Sequence, residues 1–312
     1  MAAVAAAAAF GVMLVVASGS IARADDLLDD KASGLSYLQI VTGGAAATDP
    51  LPLVVAIHGL GDNPQSFRLL LDELPSKARL IFPRGPMPHG EDGFSWFDFH
   101  PDDEDDGGAE LGKGIQASAE RIAQLIVALT ERYHGPSRAI VCGFSQGGML
   151  SFALAAEHPE LVAVAIPVSG ELPQSLWPAE RSKVRPLPKI IALHGENDKL
   201  VPVIRANWSV EALKSNGYDA KLKTWPGVSH ALSHEMRIEL ISQVVSALSA
   251  FEPPPAAAGG ELPAAPPRQD SESKAGMMPP PAAPQAPAQQ PATGAAATPS
   301  SSPDVATTPS AP

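Results

Sequence analysis

The sequence predicts an α/β fold with a mostly parallel central sheet and helices on both faces, on two observations. Short apolar runs rich in β-branched residues recur along the middle of the chain, separated by longer segments of helical periodicity. Most of these runs are hydrophobic without a break, as strands are when both faces of their sheet are covered. Strands that alternate with helices are joined by crossovers, which makes neighbouring strands parallel.

The strands are expected at residues 53–57, 79–82, 138–142, 162–168, 189–193 and 221–225, and the helices at 64–74, 111–133, 147–157, 203–216 and 234–250. In the second helix Ile115, Ile122, Ala123, Ile126 and Leu129 recur at three- and four-residue steps and form one apolar stripe. No internal repeat is visible. In an open α/β sheet ligands bind beyond the carboxyl ends of the strands, so residues that do chemistry belong just after a strand.

The ends differ from the middle. Residues 1–24 are rich in Ala, Val, Leu and Met, carry no charge before Arg23 and finish on Ala22-Arg23-Ala24. Their apolar run is shorter than the roughly 20 residues of a membrane span, and the small-x-small ending suits a signal peptidase. A signal peptide cleaved after Ala24 is expected, placing the protein in the periplasm or outside the cell; an uncleaved anchor is the alternative, since no Lys or Arg precedes the apolar run. Residues 253–312 hold 16 of the 33 prolines and no aromatic residue. Such a stretch buries too little apolar surface to offset its ordering entropy, so a disordered tail is expected, serving as a spacer, an arm toward the cell envelope, or nothing at all. Residues 25–252 remain as a single domain.

Composition excludes some functions. A net charge of −12 without any Lys/Arg cluster argues against a nucleic-acid partner. The lone cysteine, Cys142, rules out an internal disulfide, and its place inside an expected strand marks it as core.

The strand at 138–142 runs into Gly143-Phe144-Ser145-Gln146-Gly147-Gly148, and a helix follows. This is a G-x-S-x-G elbow in the strand, turn, helix setting where the motif carries meaning. The tight turn lifts the Ser145 hydroxyl above the sheet at the positive end of the following helix. A serine needs an adjacent base, and in folds with this elbow the order is serine, then acid, then histidine. Asp198 and Glu196 follow the strand at 189–193, and His230 follows the strand at 221–225.

With these residues in place the chain resembles the phospholipase/carboxylesterase family of α/β-hydrolases, which includes bacterial carboxylesterases and acyl-protein thioesterases. The resemblance runs over about residues 53–240 and rests on six ordered blocks: His58-Gly-Leu-Gly-Asp62, Phe82-Pro-Arg-Gly-Pro86, Trp96-Phe-Asp98, Gly143-Phe-Ser-Gln-Gly-Gly148, His194-Gly-x-x-Asp198-x-x-Val-Pro202 and Gly227-x-x-His230. It implies the α/β-hydrolase fold, a Ser145, His230, Asp198 triad, and an oxyanion hole formed by the backbone N–H groups of Leu60 and Gln146. It implies acyl transfer on a small-molecule ester or thioester, without a metal or organic cofactor. The acidic segment around residues 100–108 and the exported, tailed layout depart from the cytosolic thioesterases.

Other residues admit two readings. Trp96, Phe97 and Phe99 either line a substrate groove or belong to the core. Glu196 is the alternative acid. His234 lies four residues beyond His230, but without an H-E-x-x-H helix it reads as a surface residue rather than a zinc ligand. His58 and His194 read as loop organisers. The acidic run from Asp102 lacks the residues of a calcium loop at its third and twelfth positions. Two further functions fit the same features: an extracellular polyester (polyhydroxyalkanoate) depolymerase, which export and a spacer would suit, and a non-catalytic envelope-associated binding protein that keeps the fold.

Overall fold

The computed structural model describes residues 26–98 and 108–251. The expected leader, the tail, Phe99 and nearly all of the acidic segment lie outside the described residues.

The strands are β1 (Leu28–Asp30), β2 (Leu35–Val41), β3 (Leu53–Ile57), β4 (Arg79–Pro83), β5 (Met87–His89), β6 (Gly93–Ser95), β7 (Ala139–Phe144), β8 (Val162–Val168), β9 (Lys189–Gly195) and β10 (Asp219–Trp225). Eight form one sheet in the order β1-β2-β4-β3-β7-β8-β9-β10, and β5 with β6 makes a separate hairpin. From β4 to β10 every pairing is parallel, while β2 joins β4 and β1 antiparallel. The helices are α1 (Pro64–Phe67), α2 (Ala109–Tyr133), α3 (Gln146–Glu157), α4 (Val203–Ser215) and α5 (His234–Ser249).

Strand alternation builds a core on each face of the sheet. Leu53, Val55 and Ile57 of β3 and Val141 of β7 pack with the Ile115, Ile122, Ala123, Ile126 and Leu129 stripe of α2 and with Leu150 and Leu154 of α3. Val54 and Ala56 of β3 with Ile140 and Cys142 of β7 face the other way, onto Phe67 of α1 and Met236, Leu240 and Val244 of α5. Each fully buried aliphatic side chain contributes about 1.5–3 kcal/mol, so a slip by one residue that exchanged the faces would cost many such terms at once. Among the described residues no helix is long and apolar enough to cross a membrane.

The structure departs from expectation in two places. The helix expected at 64–74 stops at Phe67 and continues only as a 3-10 turn, Arg68–Leu70. Pro75 disfavours the helical region at Leu74, and separate turns still deliver Leu71 and Leu74 to the core. Two strands at the antiparallel end, β1 and β2, and the β5–β6 hairpin were not expected. Strands of three residues, such as β1, β5 and β6, are too short to display a period.

Candidate active site

Four loops at the carboxyl ends of β3, β7, β9 and β10 meet above the sheet. The turn from β7 into α3 places Ser145 at φ 56°, ψ −115°, a region that non-glycine residues avoid. The Ser145 N–H donates to Val168 O at 2.9 Å and its carbonyl accepts from Met149 N at 2.9 Å, so the end of β8 and the first turn of α3 hold the strained residue. The loop after β10 carries His230, with Nε2 at 2.9 Å from Ser145 Oγ. Its Nδ1 lies 2.7 Å from Asp198 Oδ2, on the loop after β9. The Phe144 ring packs against the imidazole, with centroids 5.0 Å apart.

Asp198 is fixed from every side. Its Oδ1 accepts the N–H groups of Leu200 (3.0 Å) and Val201 (2.9 Å). Its Oδ2 faces His230 and, at 3.4 Å, His194 Nε2. Burial alone would raise its pKa; hydrogen bonds from His194, His230 and the Val201 amide outweigh that and hold the carboxyl well below the usual carboxylate range. Glu196, the alternative acid, points elsewhere and accepts from Thr224 Oγ1 at 2.7 Å. The geometry thus brings Ser145, His230 and Asp198 into one row and leaves Glu196 out of it.

Gly59, Leu60, Asp62, Phe144, Ser145, Gln146, Met149, Leu200 and His230 line a cleft of about 230 Å³. Leu60 and Gln146 flank Ser145 there. Gln146 is the first residue of α3, where a backbone N–H has no acceptor within the helix.

The sequence pattern of the phospholipase/carboxylesterase family matches residues 37–247, most of the described chain. The chain belongs to this family. A probable carboxylesterase of Oryza sativa subsp. japonica is 29% identical over 222 residues, covering 66% of this chain and 81% of the relative. Acyl-protein thioesterase 1 of Gibberella zeae is 26% identical over 205 residues, covering 60% and 86%. The solved structure of a carboxylesterase from Mesorhizobium loti superposes with a TM-score of 0.59 at 20% identity, covering 72% of this chain and 99% of the other, and shares the α/β-hydrolase fold. This family member is therefore a carboxylic ester hydrolase of the carboxylesterase and acyl-protein thioesterase kind.

Behind the cleft of this hydrolase a polar lattice holds the two amides in place, and sequence reasoning missed it. The Gln146 carboxamide accepts from Trp96 N (3.0 Å) and Ser95 Oγ (3.3 Å) and donates to Phe97 O (2.9 Å). Trp96 Nε1 donates to His58 O at 3.0 Å. Trp96 and Phe97 are 2% and 3% exposed, so the core reading of the pair describes them, and their backbone brackets Gln146 from behind. Both side chains pack in the core that α2 and α3 share, and both residues also border a groove with Met87, Asp98 and Gly114. Gln146→Ala would strand the Trp96 N–H at a cost of about 1–3 kcal/mol, while the Phe97 carbonyl keeps the Ser95 hydroxyl at 2.7 Å. A lower urea midpoint, equivalent to about 2 kcal/mol, is the expected measurement.

The Leu60 loop is held just as firmly. Gly61 N–H donates to Phe94 O at 2.9 Å, which ties the loop to the β5–β6 hairpin. Gly93 lets the two backbones touch, since a Cβ there would lie 2.2 Å from Gly61 O. His58 closes the arrangement: its Nδ1 donates to Gly59 O at 2.7 Å and its Nε2 accepts from Gly85 N at 3.0 Å, which only the neutral ring can do. Burial lowers its pKa, against the pull of the Gly59 carbonyl. The unfolded chain therefore takes this proton first. The stability His58 contributes is complete above about pH 6.5 and is lost as pH falls from there toward the folded value. Urea midpoints between pH 7 and 5 should fall more steeply for the wild type than for His58→Gln.

Of the remaining candidates, His234 is exposed at the start of α5, where Ser233 caps the helix. Cys142 is buried, and burial pushes its thiol up to about 12. Among the described residues no group of three His, Cys, Asp or Glu side chains is arranged to hold a metal.

Proposed function

We propose that the protein is an exported serine carboxylesterase that hydrolyses short- to medium-chain carboxylic esters, or thioesters, through an acyl-enzyme on Ser145. One observation carries the reading: Ser145 Oγ, the His230 ring and the Asp198 carboxylate form an unbroken row of contacts at 2.9 and 2.7 Å. Ser145 attacks the substrate carbonyl while His230 Nε2 takes its proton. Asp198 keeps the other ring proton on Nδ1 and stabilises the imidazolium. The Leu60 and Gln146 amides receive the oxyanion, each worth about 2.7–4 kcal/mol of barrier. His230 then protonates the departing alcohol or thiol, and a water activated by the same ring releases the acid.

The cleft supports the substrate class. Leu60, Phe144, Met149 and Leu200 give it apolar walls, and its 230 Å³ suits a small acyl group. Export rests on the leader-like residues 1–24, and the Pro/Ala-rich tail is consistent with a spacer facing the envelope.

A fluorophosphonate probe, which reacts only with an activated serine, tests the reading on the full chain. Labelling of the wild type and none of Ser145→Ala is expected, with turnover of p-nitrophenyl esters that declines beyond medium acyl lengths. Equal labelling of both proteins would favour a non-catalytic binding protein. Faster release from insoluble polyester than from soluble esters would favour a depolymerase. N-terminal sequencing of the exported protein should begin at Asp25.

A further inference from the structure

Among the described residues, His194 is the one buried titratable side chain touching the row that the proposed mechanism leaves without a task. It is the penultimate residue of β9, is 1% exposed, and its ring meets the same Asp198 Oδ2 that His230 Nδ1 contacts. Its Nε2 is 2.8 Å from Val201 O. A carbonyl can only accept, so this nitrogen carries a proton, and the same N–H also reaches Asp198 Oδ2 at 3.4 Å. The Val201 amide meanwhile donates to Asp198 Oδ1 at 2.9 Å. His194, Val201 and Asp198 thus form a closed ring of contacts in which a single N–H serves both the loop backbone and the acid.

The other ring nitrogen completes the picture. His194 Nδ1 is buried with no hydrogen-bond partner among the described residues. A structural imidazole placed for packing alone would not be expected to leave a buried acceptor unsatisfied, which costs about 1–3 kcal/mol. The titratable groups around the ring are Asp198 on its own loop and Glu171 from the loop after β8. Beyond them stand His230, which touches Asp198, and Arg205, 3.2 Å from Glu171. Burial pushes the Glu171 carboxyl up to about 7.

The geometry points to His194 as a positioning residue for the acyl-transfer reaction: its Nε2–H holds Asp198 in line with His230 and sets how strongly that carboxylate draws on the His230 proton. The inference rests on the proposed triad and deepens it. Removing the N–H leaves a buried carboxylate with one donor fewer. Such a carboxylate leans harder on the remaining donor, His230 Nδ1, and stabilises the imidazolium, so the base stays protonated to higher pH.

The test is the pH dependence of kcat/KM on a soluble p-nitrophenyl ester for the full chain, with His194→Leu and His194→Gln. Glutamine places an amide N–H near the position of Nε2. The leucine variant should move the acid limb upward by about one pH unit. Its plateau should drop about tenfold, in the range found when a supporting hydrogen-bond partner is lost behind a working side chain. The glutamine variant should bring the limb back toward the wild type. An acid limb unmoved in the leucine variant, or a glutamine variant no better than leucine, overturns the assignment. The imidazole nitrogen-15 spectrum of the wild type decides separately, even where leucine prevents folding. His194 should be an Nε2–H tautomer whose signal shifts as His230 titrates, and an indifferent signal counts against it. Turnover surviving in Ser145→Ala would instead sink the triad reading, so the two failures are told apart.

Discussion

Replacing His230 by alanine is expected to lower kcat by about 10⁴- to 10⁶-fold, a barrier increase of roughly 5–8 kcal/mol. Ser145→Ala should do the same. The two changes should not add, because a serine without its base and a base without its serine leave the same residual catalysis by the oxyanion donors. Asp198→Asn should cost about 10⁴-fold while the backbone stays in place, since an amide no longer selects the Nδ1–H tautomer that leaves Nε2 free to accept the Ser145 proton. His234→Ala, at an exposed position four residues from the base, should retain most activity. Steady-state kinetics on a soluble ester, with unfolding midpoints for each variant, separate lost chemistry from lost structure. A His230→Ala enzyme near wild-type turnover, paired with an inactive His234→Ala, would move the base.

What was legible in the sequence follows from how local each signal is. The elbow at Ser145 needs only neighbouring residues, and Asp198 and His230 each lie just past an apolar run, so fold and chemistry point to the same loops. The α2 stripe was readable for the same reason: its period lies within one helix. The support behind the cleft was not. Gln146 meets Trp96 and Phe97 across about fifty residues of chain, and no period or motif announces that its carboxamide, rather than its backbone alone, has partners. That the side chains of those two residues are buried follows only from the packing of α2 and α3, which no local pattern announces. The sequence marks His58 and His194 only as loop organisers, because neither lies where the order of acid then base needs a histidine. Which nitrogen donates, and to which carbonyl, depends on Gly85 and Val201 arriving from elsewhere in the fold.

Gly147→Ala is expected to destabilise the protein by more than about 3 kcal/mol, although intrinsic helix preference at this second residue of α3 favours alanine by about 1 kcal/mol. The clash decides the sign. A Cβ on Gly147 would lie 2.0 Å from Ile57 O, 2.6 Å from Ile57 C and 2.9 Å from His58 O, all backbone atoms of β3 and the loop that follows it. Backbone in the centre of a parallel sheet cannot step aside as a side chain can, so α3 and β3 must separate. Gly44→Ala is the control: its φ of +67° disfavours a side chain, yet a Cβ there meets nothing within 4 Å, and about 1–2 kcal/mol is expected. The difference between the two urea midpoints measures close approach apart from conformational preference. The same displacement carries function, because Ile57 leads through His58 and Gly59 to the Leu60 amide while Gly147 directly follows Gln146. Parting β3 from α3 therefore parts the two proposed oxyanion donors, and the fluorophosphonate labelling rate of folded Gly147→Ala should fall along with its stability. Wild-type values for both would mean that contact between β3 and α3 does not set the distance between those amides.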